Sequence, residues 1–163
     1  MASDLKQYRD SKLAVSGNPI GFYEREFYVL SNFSSFQVKW RGQLWPTSEH
    51  AYQAAHFLET VPELAMQIHK ATSAHQAFKI AKKNAFKAPK DWMDIKISVM
   101  DDICRHKLLQ HPYVRRKLLQ TAELPLVEDS PTDSFWGWGP DKDGRNELGK
   151  IWMNLRNRIS SKP

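Results

Sequence analysis

The chain has 163 residues, 41% of them apolar and 12% aromatic, with a formal net charge of +6. That composition supports one domain with a real core, and no apolar run reaches the about 20 residues of a membrane-spanning helix. A single cysteine, Cys104, excludes an internal disulfide and a thiolate zinc cage, and reads as a small buried apolar residue of a reducing compartment.

The opening MASDLKQYRD is polar and mixed in charge, unlike a signal peptide, so a soluble, cytoplasmic or nuclear protein is expected. Residues 1–15 are expected to be a flexible segment ahead of one domain over 16–160. Next, IGFYE and FYVLSNF carry the aromatic and β-branched residues of strands. FQVKWRGQLW reads as a hairpin turning at Arg41-Gly42. Thr47 then caps a helix with Glu49 in its first turn. Ala51, Ala54, Ala55 and Leu58 make its apolar face, while Glu49, Gln53 and His56 form a separate polar row.

A second helix, TSAHQAFKIAKKNAF, opens on a capping box of Ser73 and Gln76. Asp91 caps a third, which runs to about Gln110 before His111-Pro112 stops it. A short helical piece near Val114–Gln120 and a short strand in LPLVE follow. DSPTDSFWGWGPDKDGRN is rich in turn residues. Asn146 caps a last helix with an apolar stripe of Leu148, Ile151, Trp152, Leu155 and Ile159. The fold class is α+β, mainly helical with a few short strands.

Chemistry is expected where loops meet helix starts, at WPTSEH and at DSFWGWGPDKDGRNELG. Six Trp and the positive balance suit a pocket that stacks flat rings and an anionic partner such as a nucleotide, a phosphate or nucleic acid. Glycines ahead of a helix start resemble a phosphate cradle, but they serve equally in a plain surface loop. GWGPDK is not GxGxxG, and no GxxxxGK[ST] occurs. Gly149 lowers the stability of its helix, which a close neighbour would explain. His50 and His56 lack the HExxH pattern and a third ligand, so no metal is expected; Ser48 lacks a nucleophile elbow. The lysines at 79, 82, 83, 87 and 90 form a solvated face or a phosphate-contacting one. The residues alone describe a soluble α+β domain with an acid-and-Trp site.

The stretches LSNF (30–33), WPTSEHAYQA (45–54), LVEDSPTDSFWGWG (126–139) and GRNELGKIWMNLR (144–156) resemble the NADAR, or YbiA-like, family. DWMDIKISVM and KLLQHPYVRRKLLQT resemble its middle helices, so the likeness runs from about Gly21 to Ile159. It implies a cofactor-independent N-glycosidase of the YbiA-like fold. One branch of the family hydrolyses ribosylamino-pyrimidine intermediates of riboflavin synthesis; another removes ADP-ribose from guanine in DNA or RNA. The basic balance tilts the reading to the second. A module that binds ADP-ribose or NAD without turnover uses the same pocket.

By the same resemblance Glu49 is the main catalytic carboxylate, its helix start favouring charge stabilisation over acid duty, and Asp133 is a second. Lys39 sits at a family-like position as a Schiff-base amine, if its pKa is lowered, or a phosphate contact; the alternative is a plain exposed strand lysine. Trp136, with Trp45 or Trp92, is expected to stack on base or sugar. Asn32 and Phe33 are expected to line the pocket. Gly137, Gly139 and Asn146 are expected to admit backbone donors to a phosphate. Lys96 and Lys107 add positive charge.

Overall fold

The structure is a computed structural model and describes residues 18–161; the expected flexible segment 1–15 lies outside the described residues. In chain order it contains β1 (Ile20–Gly21), a 3-10 helix (Arg25–Leu30), β2 (Val38–Trp40), β3 (Gln43–Trp45), α1 (Ser48–Ala55), α2 (Pro62–His69) and α3 (Ala74–Lys83). A short 3-10 turn (Ala85–Lys87), α4 (Trp92–Gln110), α5 (Pro112–Gln120), β4 (Leu126–Val127) and α6 (Glu147–Ser160) complete it. The described residues form two compact units: residues 32–112, and residues 18–31 with 113–161. Among the described residues no helix is long and apolar enough to cross a membrane.

Within residues 32–112 the predicted hairpin forms, with Val38 opposite Trp45 and Trp40 opposite Gln43. Arg41 and Gly42 both take positive φ, 49° and 76°, the requirement of the tight turn that matches strand twist. The hairpin feeds α1, on which α2, α3 and α4 all pack. Every residue from Ser48 to Ala54 is buried. The expected apolar face and the Glu49–Gln53 part of the polar row are therefore both enclosed, while Ala55 and His56 are half-buried. Small alanines at 51 and 54 permit that close approach from several sides.

In the other unit, β1 runs parallel to β4, pairing Ile20 with Leu126 and Gly21 with Val127. Helix α6 packs on β4 and buries Leu148, Ile151, Trp152 and Leu155, as its stripe predicts. Trp152 donates its indole N–H to the Leu30 carbonyl at 2.9 Å. Arg156, also buried, donates to Thr121 Oγ1 at 2.7 Å and to the Leu124 carbonyl at 2.8 Å.

Several expectations are corrected. FYVLSNF is not a strand; Arg25, at φ 66°, turns the chain and Arg25–Leu30 winds as a 3-10 helix. Short apolar runs lack the length that separates the two periods. Asp91 and Asn146 stand at N-cap positions without a side-chain capping bond. Helix α2 (PELAMQIH), with Pro62 at its first position, has no counterpart among the expected elements, although proline there is a recognised start signal.

Gly149 shows why a glycine opens α6: a Cβ there would lie 2.3 Å from the Leu126 carbonyl oxygen. The neighbour is the β4 backbone, which has no room to yield. Gly149→Ala is expected to destabilise the protein by about 3 kcal/mol, read as a lower denaturant midpoint at unchanged slope.

Candidate active site

Around Glu49 the chain builds a tightly determined corner from residues 32–112. Thr47 Oγ1 accepts the His50 backbone N–H at 3.2 Å, so the predicted cap is present. The same hydroxyl meets His50 Nδ1 at 2.8 Å, and His50 Nε2 donates to the Ala71 carbonyl at 3.1 Å. Both imidazole nitrogens are thus engaged within the protein, and burial lowers the His50 pKa. Glu49 is 5% exposed. Its backbone N–H donates to the Asn32 carbonyl at 3.0 Å, and Gln53 Nε2 donates to Glu49 Oε1 at 2.7 Å. Four residues separate the two side chains, one helical turn, so the polar row acts as an orienting pair.

Two polar atoms in this corner are buried without a hydrogen-bond partner: Asn32 Oδ1 and Ser48 Oγ. Buried polar groups are rarely left so, because each loses its water without compensation. Asn32 Nδ2 points at Met100 Sδ, 3.2 Å away, a weak acceptor. The corner therefore holds one amide oxygen and one hydroxyl that are buried without a partner, in the same unit as the Glu49 carboxylate. Ser48 has no nucleophile elbow around it; its burial beside Glu49 is a separate property that composition does not reveal.

The aromatic residues divide. Trp45 is 2% exposed and donates its indole N–H to the Trp40 carbonyl at 3.1 Å, closing the hairpin. Trp92 lies against His56, with ring centroids 3.8 Å apart. His56 Nδ1 donates to the Tyr52 and Gln53 carbonyls, both at 3.1 Å, which leaves Nε2 as the acceptor nitrogen. Burial lowers the His56 pKa to about 4, with the Lys96 charge acting in the same direction. Phe33 is exposed at 37%, and Lys96 is half-buried.

The lysines divide as well. Lys39 is exposed on the outer side of β2, between buried Val38 and Trp40. Its backbone N–H donates to Gln110 Oε1, and Gln110 Nε2 donates back to its carbonyl, both at 2.8 Å. Lys107 is fully buried on α4, donates to Ser34 Oγ at 2.8 Å, and lies 5.3 Å from the Phe36 ring centroid. Desolvation lowers its pKa to about 7. Its partner Ser34, just after LSNF, gives no signal in the sequence because hydroxyls there read as turn residues.

The second predicted stretch belongs to the other unit. Asp133 is half-buried, and its Oδ1 accepts the backbone N–H groups of Phe135 and Trp136, both at 2.8 Å. Trp136 packs edge-on to Phe135, centroids 4.9 Å apart. A Cβ at Gly137 would sit 2.4 Å from the Glu128 carbonyl oxygen, and one at Gly139 would strike Ser134 Oγ at 2.1 Å. Those glycines thus accommodate the chain's own close approaches. Asn146 Oδ1 accepts from Glu128 N–H at 3.0 Å, and its Nδ2 donates to the Leu126 carbonyl at 2.9 Å. Glu147, at the start of α6, pairs with Arg145 at 2.9 Å and Lys150 at 3.2 Å. The backbone N–H groups of Asn146, Glu147 and Leu148 donate to the carbonyls of Gly137, Phe135 and Trp136. This helix start is therefore largely occupied by its own loop, unlike an open phosphate cradle.

A family model described as NADAR domain matches residues 21–160, a span that includes both units. An N-glycosidase of Nostoc punctiforme is 36% identical over 143 residues, covering 86% of this chain and 92% of that protein. A riboflavin biosynthesis protein of Vibrio vulnificus is 38% identical over 152 residues; the chain spans 41% of its length. The NMR structure of Escherichia coli YbiA, at 34% identity, matches with a TM-score of 0.79 over 88% of this chain and 85% of that one. The N-glycosidase YbiA of Escherichia coli is likewise 34% identical over 143 residues, 88% of its length.

Lys107 makes a pH-dependent contribution of definite sign. Its folded pKa of about 7 lies below the ordinary 10.5. Between those values the unfolded chain binds the extra proton, so stability rises with pH through this window. Below pH 7 the full penalty of a buried ammonium applies. Relative to Lys107→Met, the wild type should gain a few kcal/mol of unfolding free energy across the window. Denaturant titrations of both proteins at several pH values check this; parallel profiles would refute it.

Proposed function

The chain belongs to the NADAR domain family, and from that premise we propose that it is an N-glycosidase that removes ADP-ribose from ADP-ribosylated guanine in nucleic acid. The observation that carries the reading is Glu49, a carboxylate buried at a helix start with one oxygen held by Gln53 at 2.7 Å. Breaking a ribose–nitrogen bond leaves positive charge on the anomeric carbon and ring oxygen. A carboxylate fixed beforehand in a site shielded from water stabilises that charge without reorganising. In this reading, Asn32 Oδ1 and Ser48 Oγ receive the sugar hydroxyls, and Phe33 borders the leaving base. The relatives named N-glycosidase, over about nine-tenths of whose length the chain extends, support the reaction class.

Asp133 is the second proposed acid. Because its Oδ1 already holds the Phe135 and Trp136 backbone, its contribution includes shaping the loop that carries Trp136. For the proposed amine, the requirement is a lysine neutral near physiological pH. Burial moves the Lys107 amine towards that state, lowering its pKa to about 7, which adds it as a candidate beside Lys39, the lysine at the family-like position. In such a step the amine nitrogen bonds to the anomeric carbon as the base nitrogen leaves with a proton. Ring opening gives an imine, and water then returns the free amine and the sugar aldehyde.

A second reading has its own support: relatives in Vibrio vulnificus and Zea mays are named riboflavin biosynthesis proteins. A ribosylamino-pyrimidine phosphate offers the same scissile bond to the same carboxylate.

Incubation with guanine-ADP-ribosylated DNA and, separately, with ribosylamino-pyrimidine phosphates distinguishes the readings by mass spectrometry of released sugar. Glu49→Gln should slow release by about 10²–10³-fold. Release from neither substrate would leave a binding module, and a fully active variant would remove Glu49 from the mechanism. Borohydride added during turnover should attach a sugar to the Lys107 or the Lys39 peptide, which identifies the amine. An unmodified protein mass would exclude an imine.

A further inference from the structure

We propose that the outward side of α3 and the 3-10 turn after it form a docking surface for single-stranded nucleic acid. Residues 74–90 hold five lysines and no aspartate or glutamate. Lys79, Lys82, Lys83, Lys87 and Lys90 are all exposed. Among the described residues none of the five forms an ion pair. The opposite side of α3 is apolar and buried through Ala74, Ala77 and Ala81, so the lysines have one direction to face.

Two phenylalanines interrupt this cationic face where a soluble helix surface would ordinarily carry polar residues. Phe86 is 82% exposed and Phe78 37%. Each ring has a lysine ammonium nearby: Lys87 Nζ lies 5.7 Å from the Phe86 centroid, and Lys82 Nζ lies 5.7 Å from that of Phe78. A ring face flanked by cations matches an unpaired base next to its own phosphate. The base stacks on the ring while the ammonium meets the backbone charge. A duplex keeps its base faces stacked inside and offers these rings nothing. The inference is separate from the catalytic chemistry. Its biological use rests on the ADP-ribosyl-guanine reading, but the binding itself requires no turnover.

The test uses the full chain with a fluorescein-labelled, unmodified single-stranded DNA of mixed sequence and the matching duplex, read by anisotropy. The single strand should bind at least tenfold more tightly than the duplex. Phe86→Ala should weaken it by about 5- to 100-fold. Lys82→Glu with Lys83→Glu should weaken it further and flatten the slope of log K against log salt by roughly 1.4, about 0.7 for each phosphate no longer neutralised. Thermal midpoints like the wild type's would show that both variants fold, and hydrolysis of a ribosylamino-pyrimidine phosphate, if present, should be unaltered. Equal binding by wild type and variants would overturn the proposal. So would binding to phosphatidylserine vesicles without binding to the oligonucleotide, or no binding to either. Sugar release from small substrates alongside absent DNA binding would sink this surface while leaving the N-glycosidase reading intact.

Discussion

The enclosure of α1 is the constraint on which the rest depends. A helix of eight residues is too short to persist on its own in water, so its existence derives from what surrounds it. The hairpin at one end and α2, α3 and α4 around it supply that environment. They also enclose Glu49, whose position is then determined by packing and by the Asn32 and Gln53 hydrogen bonds rather than by its own rotamer preferences. An acid placed by a folded surround in this way is pre-organised, which is where electrostatic catalysis draws most of its strength.

The same packing explains the lysine pair. Lys39 and Lys107 are equivalent in composition and opposite in circumstance. A strand sends alternate side chains to opposite faces, so Lys39, between two buried residues, has to look outward. Lys107 follows Ile103 and Cys104 at helical spacing, and both of these are buried. The position is therefore on the inner side of α4 despite its charge. A lysine takes such a place at substantial cost, and function is a common reason for tolerating it.

Much of the architecture was legible. The hairpin turn, the Thr47 cap, the helix from Trp92 to Gln110 and the stripe of α6 follow from local rules that the structure obeys. The site was less so. Glu49 was visible because acid, cap and flanking Trp sit within a few residues. Its partner Asn32, the Met100 contact and the Ser34–Lys107 bond join residues up to 73 positions apart, and no local rule reports such pairs. The capping box near α3 shows the intermediate case. Ser73 accepts from Gln76 as expected, but Gln76 reaches back to Thr72 rather than to Ser73. In the loop before α6, glycines and asparagine looked like provisions for a ligand. Packing of backbone on backbone uses up most of what they offer.

Asn146 carries a consequence for comparing relatives. The position demands a left-handed backbone, at φ 52°, together with an acceptor toward one amide and a donor toward one carbonyl of the strand region beside it. Aspartate lacks the donor, glycine lacks both groups, and glutamine is poorly suited to the conformation. One amino acid satisfies all three demands. Retention of asparagine here across distant sequences would thus record an architectural lock, and would carry no information about which molecule the protein acts upon.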